Sequence, residues 1–175
     1  YVPGRTLRQR IRRLERIQVN HFLTIVHALQ KMAQSGQLPY HGDLKPENII
    51  LKPSGGIVMI DPAFHNAQRG ITTITPDYNP LLLRNPRADV MAIGVMLYEI
   101  VTGTLPFEEV PWKYASGAEM GDIERLSLSY FLSYKPLEDF NPRTPEPLGK
   151  IIYRCLTVPE YRLQGLERDL FAFLR

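Results

Sequence analysis

The sequence predicts a mainly helical domain, of the α+β class, that carries one small β-hairpin and one long loop. Three observations lead there. Apolar residues recur at helical spacing over several long segments, two short β-branched runs flank a Pro-Ser-Gly-Gly turn, and Pro and Gly interrupt residues 61–86 throughout.

The elements follow in order. After the turn-like Pro3-Gly4, residues 5–16 are dominated by Arg5, Arg8, Arg10, Arg12, Arg13 and Arg16. Such a run reads as a solvated helix face, or as a surface for an acidic partner or nucleic acid. Phe22, Ile25, Val26, Leu29 and Met32 then mark a helix over roughly 18–35 that Gly36 is placed to end. Ile49-Ile50-Leu51 and Ile57-Val58-Met59-Ile60, joined through Pro53-Ser54-Gly55-Gly56, read as the hairpin. Residues 61–86, with Pro62, Gly70, Pro76, Pro80 and Pro86, read as a long loop, and loops of that length inside a domain are usually functional or disordered. From Arg87 to Gly103 the wide stripe of Val90, Ile93, Gly94, Leu97, Tyr98 and Val101 predicts a deeply buried helix. Residues 104–143 hold at most one or two short helices. Thr144-Pro145 reads as a cap followed by Pro at the first helical position, opening a helix with Leu148, Ile151, Ile152, Cys155 and Leu156 on its face. A last helix covers roughly 166–174.

The chain has 175 residues, with 21 Lys+Arg against 18 Asp+Glu and a net charge of +3. That length suits one compact domain, and 44% hydrophobic with 22% charged residues excludes a disordered tail or a collagen-like repeat. Cys155, the single cysteine, excludes an internal disulfide framework and a multi-cysteine zinc site, fits a reducing compartment, and reads as an inert buried thiol. The most apolar stretch, Ala88 to Val101, is broken by Asp89 and Glu99 and is short of the ~20 residues a membrane-spanning helix requires. The N-terminus lacks the apolar region of a signal peptide. It also begins with Tyr, not Met, and enters structured chain at once, so the sequence reads as a fragment.

Chemistry concentrates between the first long helix and the hairpin. In His41-Gly42-Asp43-Leu44-Lys45-Pro46-Glu47-Asn48, a carboxylate, an ammonium and an amide lie within six residues. That set suits a phosphoryl group: the carboxylate orients or deprotonates a hydroxyl, Lys meets phosphate charge, and the amide oxygen is a hard ligand for Mg²⁺. The hairpin is expected to fold Asp61 back beside Asn48, pairing two oxygen ligands. On its own, Asp43 is equally a turn aspartate, and an aspartate before proline, as at Asp61-Pro62, often simply starts a turn. His41 reads as a packing histidine; His21, His27 and His65 have no partner spacing.

These strings resemble the C-terminal lobe of a eukaryotic-like serine/threonine protein kinase. H-G-D-L-K-P-E-N-I-I-L is similar to the catalytic loop, M-I-D-P-A to the metal-binding D-F-G site, T-P-D-Y-N-P to the end of the activation segment, and R-A-D-V-M-A-I-G-V-M-L-Y-E-I-V-T-G-T-L-P-F to the central buried helix. Tyr1-Val2-Pro3-Gly4 resembles the hinge, and Cys155-Leu156 with Pro159 and Arg162 resembles the penultimate helix and the turn beyond. The resemblance spans the chain in the family's order. It implies a helical bundle around a central helix, occupying 1–175 as a C-lobe whose N-lobe lies upstream of residue 1. It implies Asp43 as catalytic aspartate, Lys45 as the γ-phosphate lysine, and Asn48 and Asp61 as metal ligands. Val2, Thr6, Leu7 and Ile50 take nucleotide-facing positions, Val2 through its backbone and Thr6 toward the ribose. His41 and Asp89 are structural, Asp89 bracing the loop through backbone N–H groups, and the Thr75 hydroxyl bridges Asp43 and Lys45.

Departures accompany the matches. Gly42 stands where an arginine often reads a phosphorylated activation loop, which removes the usual reason for Thr72 or Thr73 to be activating sites. Asp61-Pro62-Ala63 lacks the usual Phe and Gly. Asn79-Pro80-Leu81 replaces Ala-Pro-Glu, so the family's ion pair to the arginine at Arg162 is lost. The resemblance implies a cytoplasmic parent protein that transfers the γ-phosphate of ATP, with Mg²⁺, to a Ser/Thr hydroxyl of a protein substrate; no nucleic-acid partner is expected, and this fragment carries no membrane segment. The fragment alone is expected to be inactive. A pseudokinase scaffold, or a small-molecule kinase of the aminoglycoside or fructosamine type, are the alternatives.

Overall fold

A computed structural model describes residues 2–36, 38–63, 75–107 and 134–175. Helices dominate it. Strand β1 (Arg5–Thr6) runs directly into helix α1 (Leu7–Arg12) through a reciprocal cap: Thr6 Oγ1 accepts from Gln9 N at 3.1 Å and Gln9 Oε1 accepts from Thr6 N at 3.0 Å. Helix α2 (Val19–Gln34) buries Phe22, Ile25, Val26 and Leu29, one stripe of a 3.6-residue period. A 3₁₀ turn, Pro46–Asn48, leads into β2 (Ile49–Leu51), and β3 (Ile57–Met59) returns antiparallel to it.

The expected hairpin is one side of a three-stranded antiparallel sheet in the order β1-β2-β3, with Arg5 opposite Leu51 and Thr6 opposite Ile50. Two residues cannot display a period of two, so β1 had no pattern to announce it. The arginine run is likewise divided between β1, the short α1 and the turn after it.

Helix α3 (Arg87–Thr102) is the axis of the bundle: every residue from Arg87 to Tyr98 is buried. It ends at Gly103, whose left-handed φ of 78° lets its N–H bond back to the Glu99 carbonyl at 2.7 Å. A short helix α4 (Leu137–Phe140) precedes α5 (Glu146–Thr157) and α6 (Leu163–Phe173). Pro145 sits at the cap of α5, one place before the first helical residue, because Thr144 Oγ1 is turned back onto the Asn141 carbonyl at 2.9 Å. Helix α6 starts three residues earlier than its apolar pattern suggested, since Gly165 lies within the helix facing the Tyr161 ring.

The principal contacts are α3 against α5 and α2 against α6. Gly94 sets the first: a Cβ there would lie 2.5 Å from Cys155 Cβ, so only a hydrogen lets these helices approach so closely. Cys155 is fully buried, and burial raises its thiol to about 12, which keeps it protonated. At ~1.5–3 kcal/mol per fully buried large apolar side chain, the shared core of Phe22, Ile25, Ile93, Leu97, Ile152 and Leu166 supplies the main stabilising force. No helix among the described residues is long and apolar enough to cross a membrane.

Candidate active site

Helix α3 and β2 together hold the segment 41–48. Asp89, in the first turn of α3 and 1% exposed, accepts from the backbone N–H groups of His41 and Gly42, each at 2.8 Å. Burial lifts its carboxyl to about 6, against the pull of these two donors. Gly42 has φ 80°, and a Cβ there would meet the Tyr40 ring at 3.0 Å and Ala63 Cβ at 3.1 Å. A longer side chain there would be strained by the backbone and would have to displace these neighbours. His41 Nε2 donates to the Ile60 carbonyl at 2.9 Å, and Ala63 N donates to the His41 carbonyl at 2.8 Å. Burial pulls the imidazole below its usual range, so His41 is a neutral strut between the loop and the end of β3.

This frame delivers Asp43, 4% exposed, into contact with three groups. Thr75 N donates to Asp43 Oδ1 at 2.9 Å, Lys45 Nζ lies 3.0 Å from Oδ2, and Asn48 Nδ2 donates to the Asp43 backbone carbonyl at 2.9 Å. Lys45 Nζ also donates to Thr75 Oγ1 at 2.7 Å. The bridge expected of the Thr75 hydroxyl is therefore divided: its amide holds Asp43 and its hydroxyl holds Lys45. Thr72 and Thr73 lie outside the described residues, as does His65.

Asp61 follows β3, exposed and at a left-handed φ of 55°. Ile60 N donates to the Asn48 carbonyl at 3.0 Å, so the backbone brings the chain entering Asp61 alongside Asn48. With Nδ2 of Asn48 committed to Asp43, the amide turns its oxygen the other way. An amide oxygen and an exposed carboxylate are hard donors, and their small number suits Mg²⁺, which keeps several waters and phosphate oxygens. Among the described residues no cluster of three or more His, Cys, Asp or Glu is placed to hold a metal.

The expected nucleotide-facing residues separate. Val2 and Ile50 are half-buried, whereas Leu7 is fully enclosed by the core and has no face left for a ring. Thr6 uses its hydroxyl oxygen to cap α1.

Arg8 was missed as an individual. Its Nε donates to Glu47 at 2.7 Å, Nη1 to Glu99 and Nη2 to the Tyr78 hydroxyl, which in turn donates to Glu99 at 2.6 Å. Burial alone lowers the Arg8 pKa, but the bonds to Glu99 and Glu47 outweigh it and the net shift is upward; burial and the Glu99 bond raise the Tyr78 phenol. One guanidinium thus ties α1, the 3₁₀ turn, the segment after Thr75 and α3 together. The weak sequence signal is that Arg8 follows Leu7, the buried residue of α1. His27 and His21 also find partners, His27 with Glu167 at 2.9 Å and His21 at the start of α2, where its Nδ1 accepts from Gln18 N at 3.1 Å.

No family model matches the chain. Among curated proteins, it is 34% identical over 124 residues to CBL-interacting protein kinase 24 of Oryza sativa, covering 62% of this chain and 27% of that protein. It is 25% identical over 172 residues to the probable serine/threonine-protein kinase PknB of Lactococcus lactis, covering 89% of this chain and 25% of the relative. Against a probable serine/threonine-protein kinase of Clostridium acetobutylicum the figures are 27% over 188 residues, 97% of this chain and 27% of the relative. The chain spans about a quarter of the length of these relatives.

Proposed function

Because the chain is related to eukaryotic-like serine/threonine protein kinases, we propose that its parent protein transfers the γ-phosphoryl group of ATP to a Ser/Thr hydroxyl of a protein substrate. The observation that carries this reading is the Asp43 carboxylate, fixed at Oδ1 by the Thr75 amide at 2.9 Å and at Oδ2 by Lys45 at 3.0 Å. Phosphoryl transfer asks little covalent chemistry of a protein and much positioning and charge stabilisation. Asp43 Oδ2 orients the acceptor hydroxyl and takes its proton. Lys45, held beside it by Thr75 Oγ1, stabilises charge on the transferring group. Asn48 and Asp61 supply oxygen ligands for Mg²⁺, which when bound neutralises phosphate charge. Val2 and Ile50 form the apolar edge for the base, with Leu7 packed behind them. Residues 1–175 act as the C-lobe beneath an N-lobe supplied by the rest of the parent.

The test is phosphotransfer by the full-length protein. Asp43→Asn is expected to lower turnover by at least ~10²-fold while nucleotide affinity stays near that of the unsubstituted protein. Asp61→Asn is expected to abolish Mg²⁺-dependent nucleotide binding. Wild-type turnover in Asp43→Asn refutes the assignment, and nucleotide binding with no turnover in the unsubstituted protein makes a binding module of the pseudokinase type the better reading.

A further inference from the structure

A cavity of about 920 Å³ lies away from Asp43, between α2, the segment before α3, and the start of α6. Leu83, Met91, Leu156 and Leu163 contribute apolar wall, and two arginines, Arg87 and Arg162, belong to the same lining. Arg87 is only 8% exposed, and its buried Nη1 has no hydrogen-bond partner. Arg162 is exposed at the rim and donates to the Pro159 carbonyl. Neither arginine makes an ion pair among the described residues. Glu167, the one acidic residue lining the cavity, is already engaged by Gln30 Nε2 at 2.8 Å and His27 at 2.9 Å. Exposed Glu160 acts on Arg87 only through its field, while Arg162 opposes it.

A buried guanidinium without a counter-ion costs more than almost any other unpaired group, and a second positive charge in the same cavity increases that cost. An anion relieves both. Its complement is specific: an oxygen-rich head matches the planar donors of arginine, and an apolar body matches the leucine and methionine walls. We propose that this cavity is a binding site for a small organic anion, a carboxylate or phosphate monoester on an apolar body, with its head held by the Arg87 guanidinium and Arg162. The site is independent of phosphoryl transfer and of the residues assigned to it.

The experiment titrates the full-length parent protein by calorimetry with octyl phosphate, octanoate, inorganic phosphate and the neutral control 1-octanol. Octyl phosphate or octanoate is expected to bind more tightly than 1-octanol by at least ~10-fold, the least that a charge-assisted hydrogen bond contributes. The first two probes together decide between phosphate and carboxylate heads. Arg87→Gln is expected to weaken binding by at least ~10-fold, and Arg162→Gln by a smaller factor. Arg162→Gln changes an exposed residue, so it keeps the test open if Arg87→Gln fails to fold. Equal affinity for 1-octanol, no binding of either amphiphilic anion, or unchanged binding in a folded Arg87→Gln together with Arg162→Gln overturns the proposal.

Discussion

Helix α3 begins with two buried charges on opposite sides, since two residues of helix turn through about 200°. Asp89 looks toward the 41–43 loop and accepts from two backbone N–H groups at 2.8 Å, whereas Arg87 looks toward the α2–α6 cavity with a buried nitrogen unpartnered. The contrast extends outward from each. On the loop side, Asp43, Lys45, Thr75, Asn48 and His41 form a chain of bonds in which nearly every polar atom has a defined neighbour, although His41 Nδ1 is left over. On the cavity side, the nearest acidic groups are spent elsewhere or act at a distance. A satisfied buried charge fixes conformation; an unsatisfied one stores a capacity to bind.

The largest stability effect is expected from Asp89→Ala. It leaves the N–H groups of His41 and Gly42 buried without acceptors, a loss of about 2–6 kcal/mol at ~1–3 kcal/mol each. Urea unfolding of the isolated chain measures it, and a loss below ~1 kcal/mol would mean that water or another group already serves these donors and the contrast with Arg87 is false.

Acid titration sharpens the same point. Burial holds the Asp89 carboxyl at about 6 in the folded chain, above its unfolded value of about 3.8, so the folded state binds the proton more tightly. The stabilisation from protonated Asp89 is therefore complete below pH ~4 and lost as pH rises to about 6, by on the order of 3 kcal/mol. His41 works in the opposite direction. Its folded pKa lies below the unfolded value of about 6.5, so its contribution is present above that pH and lost on acidification. The two slopes have opposite signs. In Asp89→Asn the opposing Asp89 contribution is removed while His41 and the carboxyls held below their usual range, Asp169 and Glu167 among them, still lose stability on acidification, so stability should fall more steeply than in the unsubstituted chain. Parallel stability-against-pH curves for the two proteins would show that Asp89 does not titrate in this window.

The loop side was far more legible in the sequence than the cavity side, and the reason is physical. Asp43, Lys45, Asn48 and Asp89 belong to strings whose spacing is local, and α3 declares itself by an unbroken apolar face ending at Gly103. Contacts made by backbone atoms leave no such mark. That the Thr75 amide, and not its hydroxyl, reaches Asp43 follows only from how the segment 75–78 lies over the loop. Arg8 was hidden among five similar neighbours, because a guanidinium's partners are decided by tertiary placement. Arg87 reads as the start of a helix, and its lack of a counter-ion among the described residues emerges only when α2, α5 and α6 close around it.

A smaller effect is expected at Arg8, which lies between the two extremes: 18% side-chain exposure, but bonded to Glu47, Glu99 and Tyr78. Arg8→Lys keeps the charge and loses the fork that reaches three partners at once, and should cost about 1–2 kcal/mol by urea unfolding. An unchanged midpoint would assign Arg8 to the class of surface pairs that contribute little.

The smallest effect is expected at Arg87 itself, and it is the most discriminating. Arg87→Met retains most of the aliphatic stem against Leu83, Met91 and Leu156 and removes a charged head that finds no acceptor at Nη1. Breaking a buried ion pair usually costs ~3–5 kcal/mol because the abandoned partner stays buried and charged, but among the described residues Arg87 leaves no such partner behind. What the substitution removes is a desolvation penalty, and what it sacrifices is the field of exposed Glu160 and some packing. Stability without added anion is therefore expected to stay within about 1 kcal/mol of the unsubstituted chain or to rise above it. The same variant should lose the rise in unfolding midpoint that octyl phosphate or octanoate gives the unsubstituted chain. A loss of ~3 kcal/mol or more in anion-free buffer would place Arg87 with Asp89 among the satisfied charges and erase the difference between the two sides of α3.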